Sequence, residues 1–152
     1  MITRRNFIAA TAAAPLALSL ATPAFAAEPR IFATGGVAIK GTDPVAYFTE
    51  GKPVTGSAEH STSYMGATWH FASSANREAF EMNPTAHAPQ YGGYCAYAVS
   101  RGYTASISPN AWRIHEGKLY LNFNRAVRTL WARDIPGNIA KANANWPKVL
   151  SA

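Results

Sequence analysis

Cysteine is almost absent from this chain: there is one, Cys95, in 152 residues. A single sulfur excludes an intrachain disulfide framework and any structural zinc site built from several thiolates, because each needs at least two sulfurs at set spacings. Charge is also sparse, at 14% of residues, and the eight Asp and Glu include no pair spaced for two-carboxylate acid–base work. Glycine-rich phosphate loops and nucleophile elbows are missing too. No apolar run reaches the roughly 20 residues that a transmembrane helix needs. The longest, Phe7 to Leu20, is broken by Thr11, Pro15 and Ser19.

What stands at the N-terminus is an export signal. Met1 to Arg5 is basic, Phe7 to Leu20 is rich in Ala and Leu, and Ala24-Phe25-Ala26 supplies the small residues that a signal peptidase cleaves after. Thr3-Arg4-Arg5-Asn6-Phe7-Ile8 resembles the twin-arginine signal, which implies a bacterial protein exported already folded through the twin-arginine machinery. The expected location is the periplasm, with the leader cleaved near Ala26 and no stable membrane anchor. Removing the leader also removes Arg4 and Arg5, leaving 12 basic side chains against 8 acidic ones. That surplus is small and scattered. Arg125, Arg128 and Arg133 alternate with Val127, Leu130 and Trp131 at helical spacing, the pattern of a solvated helix face, so nucleic-acid binding is not expected.

The mature chain divides into an N-terminal arm, residues 27–42, and one domain, residues 43–152. Within the arm a short strand is expected around Val37 to Lys40. Asp43-Pro44 opens a helix closed near Gly51. Ser61 to Tyr64 and Ala67 to Ala72, joined by Met65-Gly66, predict a hairpin. Ser73 or Ser74 caps a helix that stops at Asn83-Pro84. A second hairpin is expected from Trp112 to His115 and Lys118 to Phe123, with Leu119, Leu121 and Phe123 facing the core and Lys118, Tyr120 and Asn122 facing water. Asn124 caps a helix, and after Pro136-Gly137 a last helix presents Ile135, Ile139, Ala142 and Trp146 before Pro147 ends it. Two hairpins packed with four or five helices predict an α+β fold with a small antiparallel sheet.

Chemistry points first to Cys95. If Tyr94 to Ser100 is helical, the thiol sits in the first turn, where free N–H groups favour an anion and lower a thiol pKa. If the segment is a strand, that advantage is lost. Tyr91, Tyr94 and Tyr97 oppose it in either case, because enclosure by aromatic rings penalises a thiolate. The histidines His60, His70, His87 and His115 show no metal-pairing spacing. A metal site would be assembled in three dimensions from Cys95, a histidine such as His70, and Met65 or Met82, a soft set that suits Cu(I).

Tyr64 to Ser73, followed by Arg77, Phe80 and Asn83-Pro84, resembles the YHS domain, and Asp43-Pro44-Val45 matches that family's opening. Tyr91-Gly92-Gly93-Tyr94-Cys95-Ala96 and the closing segment Ile135 to Pro147 resemble a branch of small exported bacterial members, so that the likeness covers Val37 to Val149. The resemblance implies metal handling in members that carry cysteines where this chain has Ala46, Ala72 and Asn76. It also implies a working role for Cys95, since the exported branch includes members with selenocysteine in that slot. Three functions follow as expectations. The foremost is a periplasmic binding module presenting Cys95, with His70, to copper or a small ligand. The others are a thiol redox enzyme with Cys95 as its catalytic residue and an external reductant, and an interaction domain with an inert Cys95 that docks through Tyr103 or Trp112.

Overall fold

The computed structural model describes residues 27–151 together with Pro15. The expected leader lies outside the described residues. The arm is part of the sheet: β1 (Ala33–Thr34) and β2 (Val37–Ala38) form a small hairpin, and β2 runs parallel to β4, Val37 facing Thr68. The long hairpin of β3 (Ser57–Tyr64) and β4 (Ala67–Phe71) completes a four-stranded sheet in the order β1-β2-β4-β3. Met65 and Gly66 both have positive φ, 51° and 82°, as a two-residue hairpin turn matching the twist of the flanking strands requires. β5 (Trp112–His115) and β6 (Lys118–Leu121) form a separate two-stranded sheet closed in the same way by Glu116-Gly117.

Among the described residues six helices surround these sheets: α1 (Ala46–Thr49), α2 (Ser74–Met82), α3 (Pro84–His87), α4 (Ala96–Ser100), α5 (Arg125–Ala132) and α6 (Ile135–Asn145). The fold is α+β, as expected, with one helix more than the sequence suggests. α2 stops at Asn83, but Pro84 restarts the chain as α3, because proline fits the first position of a helix as readily as it ends one. Ser73 Oγ and Asn124 Oδ1 accept hydrogen bonds from Asn76 N and Val127 N and so cap α2 and α5. α6 begins before Pro136-Gly137 rather than after it, capped by Asp134, whose carboxyl fills the space a side chain on Gly137 would need.

Asp43 is fully buried and closes the junction of arm, hairpin and helix. Its Oδ1 accepts from Val45 N at 2.9 Å and Ala46 N at 3.2 Å, its Oδ2 from Ala72 N at 2.9 Å and Asn76 Nδ2 at 2.8 Å. Four donors satisfy a group whose burial would otherwise be costly.

Two hydrophobic cores meet at β6. Trp69, Phe71 and Phe80 build the first with Leu119 and Leu121; Tyr120 packs on Trp131 in the second, with Tyr91, Tyr94 and α6. The expectation of one wet face on this strand is therefore corrected. Tyr120 and Asn122 are buried, at 3% and 0% exposure, while Phe123 is turned out. Alternation in sequence reports two environments, and here α4, α5 and α6 cover the second face.

Candidate functional site

The thiol of Cys95 lies at the junction of the two cores. The segment is helical rather than extended, and Cys95 is the residue before the first turn of α4. Its side chain is 1% exposed. Phe123 N donates to Sγ at 3.2 Å, and the S–H faces Asn122 Oδ1 at 3.6 Å, an oxygen that also accepts from Tyr97 N at 3.1 Å. Burial pushes the thiol above its ordinary pKa, against a downward pull from the backbone N–H groups of Ala98, Phe123 and Tyr97. The sulfur is held as a neutral group that ties α4 to the end of β6. Asn122 Nδ2, also buried, has no hydrogen-bond partner among the described residues. Sequence patterning places Asn122 on a solvated face and so misses this contact.

His70 is placed by β4. Trp69 and Phe71 point into the core at 0% exposure, so period-two alternation turns His70 to the other face, half-buried. There it borders an open cleft of about 460 Å³ with Thr34, Lys40 and Thr55 on its walls. Gly41 lets the backbone approach the imidazole, and Gly56 lets it approach the main chain of His70 and Phe71. Gly56 N donates to Gly41 O at 2.8 Å; a Cβ on Gly41 would lie 3.5 Å from His70 Nδ1, and one on Gly56 only 2.5 Å from the His70 carbonyl carbon. Ile39, Lys40 and Gly41 have φ of 42°, 57° and 73°. A left-handed, β-branched Ile39 is a backbone outlier that costs about 1–3 kcal/mol and persists because Ile39 is fully buried in the first core. The strain turns Lys40 out of the core to the wall of the cleft. Thr55 comes from a segment whose sequence signals only a loop and Lys40 from the end of an expected strand, which instead stops at Ala38 and turns through Ile39–Gly41; Gly41 is the one local hint of that unusual backbone.

Copper does not fit the residues present. Among the described residues, Cys95 Sγ is hydrogen-bonded to Asn122 and Phe123 N with no second metal-ligating side chain beside it, and His70 lines a cleft to which Cys95 does not contribute. No group of three or more His, Cys, Asp or Glu is placed to hold a metal among the described residues. Met65 and Met82 are exposed surface residues, and His87 turns its Nδ1 to Asn83 O at 3.1 Å. Ala46, Ala72 and Asn76, which stand where the resemblance places cysteines, do converge in space, but on the Asp43 carboxyl. Their N–H groups engage the oxygens that a metal would require. Of the two surface aromatics considered for docking, Tyr103 is exposed, whereas Trp112 is half-buried with its ring 5.3 Å from that of Tyr47.

A hairpin that feeds a capped helix, with its opening Asp-Pro-Val folded back on the hairpin's end, defines a small α+β module. The family model for the YHS domain matches residues 45–91, and the chain carries a YHS domain over that stretch. His70 lies inside the matched segment and Cys95 four residues beyond it. Neither a curated protein nor a solved structure gives a significant match to the chain.

Proposed function

We propose that this protein is a periplasmic binding module, delivered by its twin-arginine leader, that takes a small ligand in the cleft beside His70. The observation that carries this reading is the cleft itself: an open cavity between the arm and the hairpin, with glycine backbone on one side, a strained turn on another, and a histidine whose ring has no hydrogen-bond partner among the described residues. Local strain retained by a surrounding core is characteristic of binding sites. A role for Cys95 as an exposed copper ligand or redox centre is less well supported, because a sulfur 1% exposed with a raised pKa is neither reachable nor ionised.

The test is a titration of the 15N-labelled protein with a set of small fragments, anionic, neutral and cationic, followed through backbone amide shifts. Perturbations are expected to centre on Gly41, Thr55, Gly56 and His70. A response centred on Cys95, Asn122 and Phe123 would return the thiol to the centre of the function.

A further inference from the structure

Resting on the reading of the cleft as a binding site, we infer that its ligand carries a compact oxyanion, a phosphate or carboxylate group, held between Lys40 and His70. The charges on the walls decide the class. Lys40 and His70 are the titratable groups that line the cavity, and no carboxylate accompanies them. The Lys40 ammonium, like most basic groups of the protein, has no salt-bridge partner among the described residues.

The remaining polar side chains on the wall are the two threonines. Thr34 and Thr55 are exposed and their hydroxyls make no hydrogen bond to another described residue, so each is free to donate. The nearest buried acid, Asp43, points its oxygens at Val45, Ala46, Ala72 and Asn76 instead. A cation as ligand would meet one ammonium and an imidazole with no counter-charge. Most of the exposed wall is apolar, so the oxyanion is one group of a ligand that can also carry an apolar portion. An oxyanion in the cleft would have Lys40, His70 and the two threonines as its polar side-chain neighbours. A concave wall bearing one sign of charge concentrates the attraction. Lys40 is positioned for this by the left-handed turn, which a buried Ile39 keeps from relaxing.

The experiment follows the imidazole C–H resonances of the four histidines while inorganic phosphate or acetate is added at constant pH and ionic strength, with chloride as the balancing anion. Neutral and cationic fragments are titrated in parallel. A saturable shift confined to His70 is expected with at least one of the two oxyanions, His60, His87 and His115 serving as internal controls. Lys40→Gln should weaken that binding at least tenfold and Lys40→Arg should preserve it to within about threefold, a difference that a change in folding would not produce. Saturation at His70 that is indifferent to Lys40→Gln would overturn the inference. If neutral or cationic fragments move His70 and neither oxyanion does, the oxyanion is wrong and the cleft remains the binding site. If nothing in the set moves His70, the cleft reading falls with it.

Discussion

At Cys95 the opposing influences on a thiol can be weighed group by group. Proximity to the start of α4 gives it N–H neighbours, but burial is the largest influence on its pKa and raises it. A neutral thiol that accepts from Phe123 N and faces Asn122 Oδ1 is a structural group. Native protein should therefore resist alkylation at pH 7 while denatured protein reacts stoichiometrically; rapid native labelling would show the sulfur to be reachable. Cys95→Ala leaves Phe123 N without an acceptor and should cost about 1–3 kcal/mol in urea unfolding, with Cys95→Ser costing less because a hydroxyl restores both bonds. Alkaline pH acts in the same direction at several residues. Burial raises Cys95 and Tyr120, and carries Tyr94 to about 12 with the Glu28 charge assisting. A group whose folded pKa is raised stabilises the fold fully below its unfolded value and loses that contribution as pH climbs through the folded one. Stability should thus hold at neutral pH and decline above roughly 8.5, where unfolded thiols begin to ionise, then more steeply above about 10 for the tyrosines. A stability curve flat from pH 8 to 11 would contradict this.

Elements with local instructions are legible in the sequence. Ser73 and Asn124 announce α2 and α5 because capping is decided within three residues, and Met65-Gly66 announces the β3–β4 turn for the same reason. What needs distant partners is not legible. Tyr120 and Asn122 alternate like a wet face, and only the arrival of α4, α5 and α6 makes that face a second core. The cleft is hidden for the same reason: Lys40-Gly41, Thr55-Gly56 and His70 come from three segments, and each reads alone as loop or strand. The crossing of Gly56 over β4 gives the sharpest test at this scale. Its backbone is not left-handed, so the objection to a side chain is steric, with a Cβ 2.5 Å from the His70 carbonyl carbon. Gly56→Ala should lower stability by about 1–3 kcal/mol and shift the His70 ring resonances, whereas Gly102→Ala, which meets open space at φ 90°, should leave that ring unmoved. Equal effects at His70 would mean that Gly56 does not shape the cleft.

Across the whole molecule, the YHS segment and the C-terminal helices are joined by shared packing. β6 gives Leu119 and Leu121 to one core and Tyr120 to the other, and the arm enters from the opposite end, Phe32 N donating to Gly92 O at 2.8 Å. Cys95 belongs to the seam between the cores, and His70 to a face of the inner strand β4, beside the cleft between arm and hairpin. The position of each residue sets them apart, with sulfur bracing the interior and imidazole bordering the open cleft. The most direct measurement is native mass spectrometry of the protein recovered from its native cells, beside its Cys95→Ser variant and a variant combining Lys40→Gln with His70→Gln. The expected spectrum shows a metal-free, small-molecule adduct that survives loss of the sulfur and disappears with Lys40 and His70. Stoichiometric copper that vanishes in Cys95→Ser would contradict the account.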